Sequence, residues 1–159
     1  MSLLTPTPTV TGIVTRIVTY TQRVEFGHCD PAGIVWFPNF FRWIDAASRN
    51  YFTECGVPRW EDTTQSLGII GTPLVDTKSQ FLKTATYGEL LHIRVQITEW
   101  REKSFVQSYS IVRPAPDGPE DTIMQCQEVR IFAAKRSDGK NGIRAVAIPP
   151  SIRVLCETE

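Results

Sequence analysis

The chain has 159 residues, the usual size of one compact domain and too short for two ordinary ones. Apolar residues make up 42% and charged residues 21%, which is an ordinary globular composition. Lys plus Arg number 17 and Asp plus Glu 17, a balance that argues against a nucleic-acid binder, which needs cationic excess to displace phosphate counterions.

In chain order, residues 1–19 are a Thr/Pro/Val-rich lead-in, expected to be poorly ordered, and residues 20–159 are expected to form a single domain. Met1 to Tyr20 lacks the apolar central stretch of a signal peptide. No apolar run reaches the ~18 residues that span a bilayer, so no membrane-spanning helix is expected. The four cysteines (Cys29, Cys55, Cys126, Cys156) show neither a Cys-x-x-Cys pair nor zinc-like spacing. They read as reduced thiols of a cytoplasmic protein that holds no metal.

The first strand is expected where Tyr20, Gln22, Val24 and Phe26 alternate. A long helix follows. Phe37, Phe40, Phe41, Ile44, Ala47, Tyr51, Phe52 and Cys55 recur at three- and four-residue steps, with Pro38 suited to the first turn. Gly56 and then Pro58 supply a left-handed cap and a breaker. Trp60 to Leu67 suits a short helix. Four strands are expected next, at Val75–Ala85, Leu91–Thr98, Ser104–Val112 and Ile123–Ala134. The Pro- and Gly-rich run 113–119 forms a hairpin loop between the last two. With no helix between them these strands pair antiparallel, giving an α+β layout in which one helix lies across a curved sheet.

Chemistry concentrates in the stretch from Val24 to Phe40. Asp30-Pro31-Ala32-Gly33 fits a type I turn, and on local grounds alone it is a plain turn. The turn leads into a helix N-terminus, whose free amides and positive dipole end can polarise a carbonyl oxygen or hold an oxyanion. A carboxylate folded back beside that carbonyl acts as nucleophile or general base, while Ile34, Val35, Trp36 and Phe37 exclude water. His28 and Cys29, as neighbours on an extended strand, point to opposite faces and do not form a nucleophilic pair. His92, between Leu91 and Ile93, is expected on the solvent face of its strand.

Phe26-Gly27-His28-Cys29-Asp30-Pro31-Ala32-Gly33-Ile34-Val35-Trp36-Phe37-Pro38-Asn39, followed by the run from Arg42 to Phe52, resembles the 4-hydroxybenzoyl-CoA thioesterase family of the hot-dog fold. The likeness extends to Gly71-Thr72-Pro73, to the run from Glu99 to Gln107, and to Arg144-Ala145 before Pro149. It implies one long helix wrapped by a curved antiparallel sheet, a homodimer or homotetramer with active sites at subunit interfaces, and an acyl-CoA substrate. It implies no cofactor and no metal, coenzyme A being part of the substrate, and partners that include neither nucleic acid nor membrane.

By the same resemblance Asp30 is the catalytic carboxylate, attacking the thioester carbonyl or activating water. The backbone amide of Phe37 is the donor that polarises the thioester, and a backbone donor survives the family's change from Tyr to Phe at this position. Asp45 matches a helix carboxylate that meets the hydroxyl of a 4-hydroxybenzoyl group; its plain alternative is a surface pair with Arg49 four residues on. Trp60, and Trp36 beside the helix start, are expected at the acyl group, although a core role suits Trp60 equally. Arg101, Lys103 and Arg144 are expected to contact the CoA phosphates, with Glu102 lowering the local positive field. The expected function is hydrolysis of an aromatic acyl-CoA, of 4-hydroxybenzoyl- or benzoyl-CoA type. The alternatives are a thioesterase for aliphatic acyl-CoA or acyl-carrier-protein substrates, and a non-catalytic acyl-CoA-binding module.

Overall fold

In the computed structural model the described residues run from 15 to 157. Most of the lead-in, residues 1–14, therefore lies outside them. The first strand, β1 (Ile17–Arg23), starts before the expected boundary at residue 20, because Ile17 to Arg23 pair in register with Gln96 to Leu90. It also ends earlier than its alternation suggests. Phe26–His28 is a 3₁₀ turn and Phe26 is exposed, so the expected strand placement of His28 and Cys29 is corrected.

Helix α1 (Pro38–Glu54) and helix α2 (Trp60–Leu67) follow. They stop where the sequence places glycines, at Gly56 (φ +83) and Gly68 (φ +72), left-handed positions that a residue with a Cβ adopts at a cost. The strands are β2 (Leu74–Phe81), β3 (Leu90–Trp100), β4 (Ser104–Arg113) and β5 (Asp121–Lys135). Two short elements were not expected: β6 (Ile143–Val146) and α3 (Pro150–Cys156).

All strand pairs are antiparallel, in the order β1-β3-β4-β5-β2. The long β5 carries β4 along one edge as far as Ile131, and β6 takes that edge over from Phe132. The opposite edge pairs with β2, and beyond it Gly71 bridges Ala133. Leu91, Ile93, Val95 and Ile97 of β3, with Phe105 and Ile111 of β4 and Met124 and Phe132 of β5, are buried beneath α1. The helix answers with Phe40, Trp43, Ile44, Ala47, Tyr51 and Phe52. Phe52 meets Phe105 and Phe132 edge-on at centroid distances of 5.7 and 6.1 Å. Each such side chain contributes about 1.5–3 kcal/mol by leaving water, so the sheet holds α1 firmly and fixes what both helix ends present. One long helix wrapped by a curved antiparallel sheet is the hot-dog architecture. Phe37, read as part of the buried stripe, is instead exposed, because it precedes the first helical turn.

Candidate active site

The loop between β1 and α1 is a small hairpin built by its own backbone. Trp36 N–H donates to the His28 carbonyl (2.9 Å), Asp30 N–H to the Ile34 carbonyl (2.9 Å), and Gly33 N–H to the Asp30 carbonyl (2.9 Å). The last bond closes the expected Asp-Pro-Ala-Gly turn, and Gly33 takes a φ of +79°. The Asp30 carboxylate accepts from the Ala32 N–H at 2.9 Å through Oδ1, and Oδ2 has no hydrogen-bond partner among the described residues. The hairpin is tied down from outside. Val35 N–H donates to the Ala85 carbonyl at 2.8 Å, and Thr86 Oγ1 to the Gly33 carbonyl at 2.6 Å.

The hairpin delivers the chain to the start of α1, where one backbone donor stays open. Pro38 has no N–H, while Asn39 and Phe40 donate back to the Trp36 and Phe37 carbonyls at 2.9 and 3.1 Å. The Phe37 N–H has no acceptor among the described residues. A single free amide at the positive end of a helix, on the same hairpin as a carboxylate, is suited to polarise a carbonyl that the carboxylate or its water attacks. His28 Nδ1 accepts from the Glu25 N–H at 2.9 Å, and its ring stands edge-on to Trp43 at 5.1 Å, so it braces the loop and forms no pair with Cys29.

Two turns further along α1, Asp45 and Trp60 line one cleft of about 510 Å³. Phe41, Ile70, Pro73 and Leu74 supply its apolar walls, and Glu128 and Arg130 its floor. Trp60 packs edge-on to Phe52 at 5.4 Å, as its core reading expects, and also lines the cleft. Asp45 does pair with Arg49 (2.8 Å), and its other oxygen takes Arg130 at 3.2 Å. Trp36 is not in this cleft; it is half-exposed beside Phe37 at the helix start. A larger depression of about 740 Å³ lies across Lys78, Arg94, Gln96, Ser108 and Gln127 and contains none of the candidate residues. The cleft at Asp45 is thus the one that holds candidate residues, Asp45 and Trp60, while Asp30 and Phe37 line neither depression.

The basic candidates gather at one end of the sheet. Arg101 and Lys103 are exposed in the β3–β4 turn, and Ile148 N–H donates to the Glu102 carbonyl at 3.1 Å, drawing in the segment that follows exposed Arg144 on β6. Arg101 is engaged by Glu99 at 2.8 Å, which holds the Glu99 carboxyl below its ordinary pKa, so Lys103 and Arg144 carry the more available charge. His92 is half-buried on the face of β3 away from α1. Among the described residues no group of three or more His, Cys, Asp or Glu is arranged to hold a metal ion, and no helix is long and apolar enough to cross a membrane.

Residues the sequence reading passed over are Glu128, Arg130, Tyr109 and Gln107, all buried beneath α1. Their signal is the inward alternation of β5, where Met124, Cys126, Glu128, Arg130 and Phe132 are buried in turn, so that two opposite charges interrupt an apolar face.

Residues 24–154 match the thioesterase-like superfamily. The chain is 50% identical over 141 residues to the 4-hydroxybenzoyl-CoA thioesterase of Pseudomonas sp. (strain CBS-3), covering 89% of this chain and 98% of that one. An Asp-to-Asn mutant of 4-hydroxybenzoyl CoA thioesterase complexed with 4-hydroxybenzoyl CoA superposes with a TM-score of 0.83 at 48% identity, covering 89% of this chain and 99% of that chain. A gentisyl-coenzyme A thioesterase superposes with a TM-score of 0.69 at 29% identity, covering 87% and 98%.

Proposed function

This chain belongs to the thioesterase-like superfamily, and we propose that it hydrolyses an aromatic acyl-CoA, of 4-hydroxybenzoyl- or benzoyl-CoA type, to the carboxylic acid and free CoA. The observation that carries the reading is the site loop, which joins the Asp30 carboxylate to the one open amide of the helix start at Phe37. The thioester carbonyl accepts from that amide, and its oxygen gains negative charge as the tetrahedral intermediate forms, where a fixed donor stabilises it most. Asp30 attacks the carbonyl carbon, expelling the CoA thiolate and leaving a mixed anhydride for water to cleave, or it takes a proton from a water that attacks instead. Neither route calls for a metal or a cofactor.

The aryl ring enters the cleft against Phe41 and Trp60, and Asp45 accepts the hydrogen of a para hydroxyl. The relative that is 50% identical over 141 residues is a 4-hydroxybenzoyl-CoA thioesterase, which supports this substrate class. Lys103 and Arg144, with Arg101 beside them, take the CoA phosphates.

The outer edge of β2, unpaired among the described residues, and its exposed Leu74, Val75 and Phe81 support assembly into dimers or tetramers, since such an edge pairs readily with a second chain. Leu74 also lines the cleft, so its mouth then lies at a subunit boundary. Four free cysteines suit the reducing cytoplasm.

The test is thiol release from 4-hydroxybenzoyl-, benzoyl- and hexanoyl-CoA. The reading expects the highest kcat/KM for the 4-hydroxybenzoyl thioester. A preference for hexanoyl-CoA moves the function to aliphatic substrates, and binding without turnover reduces it to a binding module.

A further inference from the structure

Asp45 has two cationic partners of unequal standing. Arg49 is 63% exposed and one helical turn away, an arrangement of little energetic value. Arg130 is 6% exposed, and its guanidinium is fixed by three acceptors: Nε donates to Glu128 at 2.7 Å, Nη1 to the Thr72 carbonyl at 3.0 Å and Nη2 to Asp45 at 3.2 Å.

Glu128 continues the chain of contacts. Its carboxylate lies 2.8 Å from the Tyr109 hydroxyl, which lies 2.8 Å from the Gln107 side-chain oxygen. That oxygen accepts from Ser48 Oγ at 2.7 Å. Ser48 is back on α1, three residues beyond Asp45, so the contacts close into a ring: Asp45, Arg130, Glu128, Tyr109, Gln107, Ser48. All but Asp45 are buried. In this orientation Gln107 Nε2 has no partner. Turned over, the amide donates to the Tyr109 and Ser48 oxygens while Tyr109 donates to Glu128, so that each link has a donor.

We propose that Arg130 is a positioning residue for substrate selection: it sets the orientation of Asp45, and the buried ring behind it fixes Arg130 and this turn of α1 to the sheet. The inference rests on the reading of Asp45 as the group that meets a para hydroxyl. A carboxylate already bonded to a guanidinium is an acceptor only, so it favours a substrate that brings a donor. Burial works against the charge on Arg130, but Glu128, Tyr109 and Asp45 more than offset it and hold its pKa above the ordinary value. Burial, then Glu128, pushes the Tyr109 hydroxyl far up, so it remains a neutral donor to Glu128.

Removing one member of a buried ion pair strands the other, whereas replacing both is tolerated better. The experiment therefore uses the double variant Glu128→Gln, Arg130→Met, with folding checked by thermal melting. The single variant Arg130→Lys keeps a cation beside Glu128 but cannot bridge Glu128, Thr72 and Asp45 together, and it carries the test if the double variant fails to fold. The readout is the ratio of kcat/KM for 4-hydroxybenzoyl-CoA to that for benzoyl-CoA, which a general loosening of the fold lowers for both substrates alike. Both variants should lower this ratio about tenfold or more, the scale of one charge-assisted hydrogen bond, while Arg49→Met lowers it less than about threefold. An unchanged ratio in the Arg130 variants, or an equal fall with Arg49→Met, overturns the inference. Asp45→Ala separates the two levels. If it abolishes the preference and the Arg130 variants do not, only Arg130 loses its role; if it leaves the preference intact, the reading of Asp45 falls and this inference falls with it.

Discussion

Asn39, buried in the first turn of α1, donates its side-chain amide to the His28 carbonyl at 2.8 Å, across the base of the hairpin that carries Asp30. The same carbonyl takes the Trp36 N–H, so one oxygen joins both arms of the hairpin to the helix. Asn39→Ala deletes one of these two bonds at about 1 kcal/mol of stability. Its larger effect should fall on kcat, because a small displacement of a catalytic group costs far more in rate than in folding. Asn39→Asp has a similar shape but no donor, and should behave like the Ala variant. Thermal melting and thiol-release kinetics together check this; a kcat equal to wild type in both variants removes Asn39 from the support of the site.

Asp30→Asn keeps the carbonyl oxygen that accepts from Ala32 N–H, so the turn and the fold should survive. It removes the charge that, in the proposed reading, attacks the thioester or takes a proton from water. The expected fall in kcat is roughly two to four orders of magnitude, the usual scale for loss of a nucleophile or base, with substrate binding retained. Single-turnover thiol release and a separate binding titration of the same thioester measure the two effects. Hydrolysis at wild-type rate would show that the carboxylate is elsewhere.

These expectations depend on features that differ in how far the sequence reveals them. Helix α1 was legible because its apolar stripe is long and its stop is written as Gly56 and Pro58, and α2 lies over the residues read as a short helix. Strand β6 was not, since four residues beyond a Gly-containing turn become a strand only where β5 extends past β4. Helix α3 buries only Ile152 and Cys156, too few positions to show a period. At the site, the turn at Asp30 and open amides at the helix start follow from local rules for turns and helix ends, while the choice of the Phe37 amide rests on the family resemblance. The floor of the cleft does not, because Glu128 and Arg130 become a pair only once β5 turns both toward α1.

Asp45→Ala tests the floor from the substrate's side. Removing the carboxylate takes away the proposed acceptor for a para hydroxyl, so kcat/KM for 4-hydroxybenzoyl-CoA should fall about ten- to a hundredfold. Benzoyl-CoA, which has no hydroxyl to bond, should lose much less. Folding should suffer modestly, because the cleft admits water to the Arg130 donor that Asp45 leaves. Equal losses for the two substrates would mean that Asp45 holds the helix in place and does not read the ring.

The support of the site loop should weaken in acid. Asp121 accepts from Lys83 and, at 2.9 Å, from Arg113, and these bonds, with Lys83 first, hold its pKa below the ordinary carboxylate value. Arg113 also bonds Glu89 at 3.0 Å and the Thr84 carbonyl at 2.8 Å, and Thr86 within this segment donates to the Gly33 carbonyl of the Asp30 turn. A carboxylate whose pKa is depressed by folding binds fewer protons in the folded state than in the unfolded one. Its contribution is therefore complete above the unfolded value of about 4 and is lost as pH falls through the lower folded value. Asp121→Asn cannot carry the charge at any pH. Wild type should melt above this variant at neutral pH, and the gap should close as pH drops below about 4. Melting curves of both proteins from neutral to acid pH measure it. A gap that stays constant across that range would show that the Asp121 charge takes no part in holding the segment.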